Sequence, residues 1–155
     1  MRLRPLEAAD RPKLARLIGD IRAFNAADRG VALELIDDVL TKGEGSDYRI
    51  IVAEDSGVAG YICFGRIPLT QSSCDLYWIA VAPEATGKGV GRALLAACEE
   101  GCRMEGGTQL FAETSSLPDY APARAFYEAT GFALLSRIAD FYSPGNDRLT
   151  YGKRL

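Results

Sequence analysis

Residues 76–100 read LYWIAVAPEATGKGVGRALLAACEE, and they carry the chain from one periodicity to another. Leu76 to Val81 is a nearly continuous apolar run closed by Pro83, the pattern of a strand buried on both faces. From Gly91 onward the apolar residues Leu94, Leu95, Cys98 and Cys102 fall at helical spacing. The switch happens inside a loop that holds Gly87, Gly89 and Gly91. A strand that feeds a glycine-rich turn into a helix N-terminus is a phosphate site. The first helical N–H groups lack intrahelical partners, the macrodipole is positive at that end, and glycine lets an anion approach the main chain. Lys88 and Arg92 add positive charge on either side, and Val90 completes the loop.

Spacing excludes two common phosphate loops. A Walker loop requires Ser or Thr after its Gly-Lys pair, where this chain has Gly89. A dinucleotide fingerprint begun at Gly87 or at Gly89 meets Arg92 or Leu94 where its last glycine belongs. The segment Thr86-Gly87-Lys88-Gly89-Val90-Gly91 instead resembles the pyrophosphate loop of the GNAT superfamily of acyl-CoA-dependent N-acetyltransferases, with Thr86 in the place of the usual Gln or Arg. A second segment, YAPARAFYEATGF at residues 120–132, agrees. Pro122 suits a first helical turn and Gly131 a C-terminal stop. On their own, Phe126 and Tyr127 read as a core aromatic pair. Ala123, Phe126, Tyr127, Gly131 and Phe132 nevertheless fall in register with the second signature of the same family, with Tyr120 replacing its usual Asn. The resemblance covers roughly residues 75–132, with one expected strand, Gln109 to Glu113, between the two signatures.

The flanks are compatible. Leu3 opens a short strand; Leu14, Leu17, Ile18 and Ile21 mark one amphipathic helix and Ala32, Leu35, Ile36, Val39 and Leu40 a second. Tyr48 to Glu54 and Val58 to Ile67 read as strands joined at Asp55-Ser56-Gly57. Phe132 to Ile138 and Leu149 to Leu155 read as strands separated by a polar bend from Tyr142 to Arg148. The order βααβββαβαββ is that of the GNAT fold, an α/β (α+β sandwich) domain whose mixed, mostly antiparallel central sheet is flanked by helices. At 155 residues and 48% hydrophobic, residues 1–155 are expected to form a single domain.

A net charge of −3 gives no broad basic surface, so neither nucleic acid nor an anionic membrane is an expected partner. No leader-like segment and no apolar run near eighteen residues is present, which leads to the expectation of a cytoplasmic location. Cys63, Cys74, Cys98 and Cys102 show no CxxC spacing and the chain has no histidine, so no metal is expected and the thiols read as reduced and buried.

The resemblance implies acetyl-CoA as co-substrate. It assigns main-chain groups of Ile79, Ala80 and Val81, at a splayed strand end, to the pantetheine and the thioester carbonyl. Gly87, Lys88, Gly89, Val90, Gly91 and Arg92 go to the pyrophosphate, and Phe126 joins the cofactor-binding set. Tyr127 matches a tyrosine placed to protonate the leaving thiolate, and Glu113 a carboxylate that accepts the amine proton. Asp140, Asp147, a tyrosine or water remain alternatives for the base. The implied reaction is transfer of an acetyl group to a primary amine by direct attack on the thioester, with a small-molecule or peptide amine as acceptor. A CoA-binding regulatory or interaction module without turnover is the other reading, and a homodimer is left open. The acceptor cleft is expected between Pro68 to Asp75, Thr114 to Asp119 and Asp140 to Asp147, a mixture of aromatic, acidic and hydroxyl side chains suited to a cationic amine.

Overall fold

The computed structural model describes residues 1–155. Its elements are β1 (Arg2–Pro5), α1 (Arg11–Asp20), α2 (Ala26–Lys42), β2 (Arg49–Glu54), β3 (Val58–Arg66), β4 (Ser73–Val81), α3 (Val90–Met104), β5 (Gln109–Ser115), α4 (Ala121–Ala129), β6 (Ala133–Ser143) and β7 (Asn146–Arg154). This is the expected βααβββαβαββ order. The strands form one seven-stranded sheet in the order β1-β2-β3-β4-β5-β7-β6. Every neighbouring pair is antiparallel except β4 and β5.

Helix boundaries follow local chemistry. Asn25 caps α2 by accepting from the N–H of Asp28 at 2.8 Å, while the Asp28 carboxylate accepts from the N–H of Asn25 at 3.0 Å, a reciprocal box that satisfies two donors. Pro122 sits in the first turn of α4, where its missing N–H is harmless. A core of 29 buried residues joins both faces of the sheet to the helices. Near one edge, Arg4 makes a bidentate pair with Asp10, at 2.7 and 2.9 Å, with both side chains buried. That guanidinium holds the Asp10 carboxyl below the usual carboxylate range. No helix is long and apolar enough to cross a membrane.

Several boundaries differ from the sequence reading. Strand β4 begins at Ser73 rather than Leu76, because Cys74 and Leu76 bury one face while Asp75 opens the other, an alternation hidden by the apolar run that follows. The polar bend at 142–148 is a tight turn instead: β6 continues to Ser143 and β7 starts at Asn146, with Gly145 at φ +80°. Residues 139–142 are held on β7 as a bulge, with the N–H of Asp140 donating to Asp147 at 2.9 Å.

The site is positioned by what happens between β4 and β5. Their parallel ladder pairs Ser73 to Leu76 with Gln109 to Ala112 and goes no further. The next residue, Tyr77, is a bulge: Phe64 of β3 lies opposite Leu76 and Cys63 opposite Trp78. A bulge bends its strand and re-aims the chain. From there β4 stays on β3 as far as Val81 while β5 follows β7, so the two strands part.

Candidate active site

The parting of β4 and β5 opens a cleft of about 1050 Å³. Of the expected site residues, Ile79, Ala80, Val81, Gly91, Glu113, Phe126 and Tyr127 all line it. Gly87, Lys88, Gly89, Val90 and Arg92 lie beyond its rim at the start of α3.

On the β4 side the working groups are main-chain. The N–H of Ala82 donates to the Ala59 carbonyl at 2.8 Å, which fixes the phase of the antiparallel ladder with β3. By alternation Ala80 also directs its N–H and C=O to β3, and Ile79 and Val81 direct theirs into the gap. The three-residue expectation is therefore narrowed: Ile79 and Val81 present main-chain groups, while buried Ala80 does not.

The loop that follows is built for the same purpose. Gly87 and Gly89 have φ of +79° and +82°, in the left-handed region, and each faces open space, so backbone conformation and not crowding requires glycine there. Gly91 is different. A Cβ there would lie 3.3 Å from the ring of Phe126 and 3.8 Å from Val81, so it permits α3, α4 and β4 to meet. The N–H groups of Gly87, Gly89, Val90, Gly91 and Arg92 have no acceptor within the protein. They open at the positive end of α3, and Lys88 and Arg92 are exposed cations without ion-pair partners. Thr86 contributes its hydroxyl to the loop itself, donating to the Ala82 carbonyl at 3.4 Å. Such a cradle fits a pyrophosphate, and the free β4 edge beside it fits an amide-bearing arm.

Tyr127 is buried on α4 among Phe126, Phe132 and Tyr151, with ring centroids 5.2 to 5.9 Å away. Its hydroxyl has no protein partner, and the side chain lines the cleft. Burial pushes the phenol well above its ordinary value, so it is protonated at neutral pH and has a proton to give. Glu113 stands across the gap on β5, half exposed, 4.0 Å from Arg148. Tyr120, in the place of the family's Asn, donates to Asp28 at 3.2 Å and ties α4 to α2.

The two reserve carboxylates are elsewhere. Asp147 is buried, accepts from Arg137 at 2.6 Å and from the N–H of Asp140, and is held below the usual range by those donors. Asp140, at φ +55°, accepts from the N–H of Gly145. Both brace the β6–β7 hairpin and neither lines the cleft.

The far end of the cleft was only partly anticipated. Leu117, Asp119, Tyr142 and Ser143 line it as expected, but Pro68 to Asp75 does not. In place of that link stands the α1–α2 connection, with Phe24, Asn25 and Asp28. Phe24 packs against Trp78 with the ring planes tilted by 54° and centroids 4.9 Å apart, and the Trp78 indole N–H is buried without an acceptor. The Asn25-x-x-Asp28 capping box was the sequence signal that a helix, and hence a loop end, starts here. Asp75, at the end of that link, lies outside the cleft on β4. It lies opposite Phe111 on the face that it shares with Glu113, and burial together with that neighbouring carboxylate pushes its pKa up to about 6.

The profile of the acetyltransferase (GNAT) domain matches residues 46–134, which include β2 to α4 and the whole of the cleft's two strands. A structure of a GNAT-family protein from Desulfovibrio desulfuricans is 39% identical and superposes with a TM-score of 0.94 over 99% of this chain and 98% of that one. The chain belongs to the GNAT acetyltransferase family. Nourseothricin acetyltransferase is 30% identical over 70% of this chain and 65% of its own, with a TM-score of 0.62. A protein from Salmonella typhimurium solved with its cofactor acetyl-CoA is 21% identical over 100% of this chain and 94% of its own, and at a TM-score of 0.75 shares the fold. The search of curated proteins found no match.

Proposed function

We propose that this GNAT domain is an acetyl-CoA-dependent N-acetyltransferase that acetylates the primary amine of a cationic acceptor. The observation that carries the reading is the convergence of Tyr127, Glu113 and the free β4 edge on one cleft. Acetyl-CoA supplies an activated acyl group as a thioester. Gly87 and Gly89 to Arg92 bind its pyrophosphate through main-chain N–H groups, and Ile79 and Val81 orient the arm along β4. A main-chain N–H at the β4 end polarises the acyl carbonyl, a preorganised donor that requires no side chain. Tyr127, protonated and otherwise unpartnered, gives its proton to the departing sulfur. Glu113 takes the amine proton, directly or through water, from the opposite wall. The cationic preference follows from Asp28, Asp119 and Glu113 around aromatic walls formed by Phe24, Trp78 and Tyr142.

The test is release of free thiol from acetyl-CoA on addition of a panel of amines. Amine-dependent release, strongest with acceptors that carry a second positive charge, is the expected result. A module that only binds CoA shows stabilisation against heat by CoA and no amine-dependent release.

A further inference from the structure

The polar groups that line the cleft divide by sign. Asp28, Asp119 and Glu113 are its charged side chains, all acidic, and no lysine or arginine is among its walls. The neutral groups add donors. Trp78, on the β4 wall, has a buried indole N–H without an acceptor. Asn146, the first residue of β7, lines the same cleft from the turn that follows β6.

The orientation of the Asn146 amide is set by its neighbours. The N–H of Leu117 donates to Ser115 Oγ at 3.1 Å, and the Ser115 hydroxyl in turn donates to Asn146 Oδ1. Ser115 is buried, so this short chain of hydrogen bonds is shielded from water and holds the amide one way round. Oδ1 is thereby used, and Nδ2, which has no acceptor within the protein, presents its two N–H donors to the cleft. An asparagine free to turn over offers a ligand either a donor or an acceptor. This one offers donors only.

Placement says what those donors are for. Glu113 and Ser115 are two apart on β5, so their side chains leave the same face of the strand roughly 7 Å apart along it. An amine held at Glu113 and a group held at Asn146 are therefore neighbours within one small molecule. That group must accept hydrogen bonds. It must also be neutral, because a carboxylate would stand among Asp28, Asp119 and Glu113 with no cation on the walls to balance it. A carboxamide oxygen meets both conditions, whereas a plain diamine offers Asn146 nothing to bind.

We propose that the acceptor is an α- or β-amino carboxamide, whose amine is presented at Glu113 and whose carbonyl oxygen is bound by the Asn146 amide N–H. The inference rests on the acetyltransferase reading of the cleft and narrows it. A second positive charge draws an acceptor in, and the carboxamide decides which of its nitrogens stands at the thioester.

Lysinamide, lysine and cadaverine test this, since they share one diamine skeleton and differ only in the carboxamide, carboxylate or hydrogen beside the α-amine. Each is titrated calorimetrically into the CoA-saturated protein. Lysinamide binds about tenfold or more tightly than the other two, the worth of one well-made hydrogen bond. Asn146→Asp keeps the size and still accepts from Ser115, but it removes the donors. It lowers the preference for lysinamide over cadaverine by about tenfold, with an unchanged thermal midpoint showing that the fold is kept. Equal or weaker binding of lysinamide, no binding by any of the three, or a preference that survives Asn146→Asp overturns the proposal. Thiol release from acetyl-CoA with the same compounds separates this inference from the wider reading. Preferential binding of lysinamide without thiol release ends the acetyltransferase reading and leaves the carboxamide site, and thiol release with all three and no preference does the reverse.

Discussion

The two walls of the cleft are made of different material. The β4 wall and the loop after it offer main-chain groups: the gap-facing edge at Ile79 and Val81, and the N–H groups of Gly87 and of Gly89 to Arg92. The β5 wall and the segments above it offer side chains: Glu113, Asp119, Tyr142 and, from across the molecule, Phe24 and Asp28. A main-chain wall depends on conformation, which a few glycines set, and it suits a ligand common to a whole family. A side-chain wall depends on which residues distant segments deliver, and it suits what differs from one enzyme to the next. The difference predicts that substitutions on the first wall act on cofactor affinity and those on the second on acceptor chemistry.

Gly89→Asp is the strongest way to break that division. Its Cβ enters open space, and the left-handed φ of +82° strains an Asp by only about 1–2 kcal/mol, so the protein stays folded. The added carboxylate stands among N–H groups that bind an anion, so CoA affinity falls by about a hundredfold or more. Calorimetric titration with CoA measures this, along with loss of the rise in thermal midpoint that CoA gives the wild type. Wild-type affinity in a folded Gly89→Asp protein removes the cofactor assignment of the whole loop.

Tyr127→Phe sharpens the comparison, because Tyr127 comes from α4, outside both walls, and lines the cleft between them. The ring still packs against Phe132 and Tyr151, and the lost hydroxyl has no protein partner, so stability and CoA affinity hold. Turnover falls by roughly ten- to a thousandfold, the range for a positioned proton donor. An unchanged kcat with a true acceptor leaves Tyr127 as packing alone.

Glu113→Gln probes the second wall only. The expected result is a loss of about tenfold in kcat with CoA affinity unchanged, partly recovered as rising pH supplies neutral amine. Superimposable pH–rate profiles for the two proteins transfer the base role to solvent, since Asp140 and Asp147 brace the hairpin outside the cleft.

The same contrast explains what was legible in the sequence. Element order and the α3 cradle could be read because glycine spacing, a period switch and capping residues act locally. Phe126 and Tyr127 could be placed because one helix carries both in register with the loop. The splay itself could be expected only through the family, since its physical origin is the bulge at Tyr77, a residue inside an unbroken apolar run. Asp28 was out of reach for another reason. It caps its own helix, which accounts for it locally, and only the tertiary fold turns it toward Tyr120. The β6–β7 boundaries failed because Asp140 and Asp147 look like turn residues and instead hold a bulge within the hairpin.

Asp75, on β4 below the parting of the strands, gives the smallest effect and tests its neighbourhood with Glu113 without any substrate. In the folded protein burial and Glu113 push its pKa up to about 6, whereas an unfolded aspartate titrates near 3.9. The native state therefore binds more protons than the unfolded state between those values, so this residue's contribution makes stability fall as pH rises through that window. Asp75→Asn removes the contribution. The variant and wild type are expected to be equally stable below about pH 3.5, and the variant gains about 1–2 kcal/mol by pH 7, a discounted value for a side chain that is only partly buried. Urea unfolding of both proteins across that range measures the gain. Part of it comes from Glu113, so in a Glu113→Gln background the gain shrinks while its sign is kept. A gain that is independent of pH assigns the effect to local packing, and a loss at neutral pH means that the ionised Asp75 is held by a partner and that Glu113 does not raise its pKa.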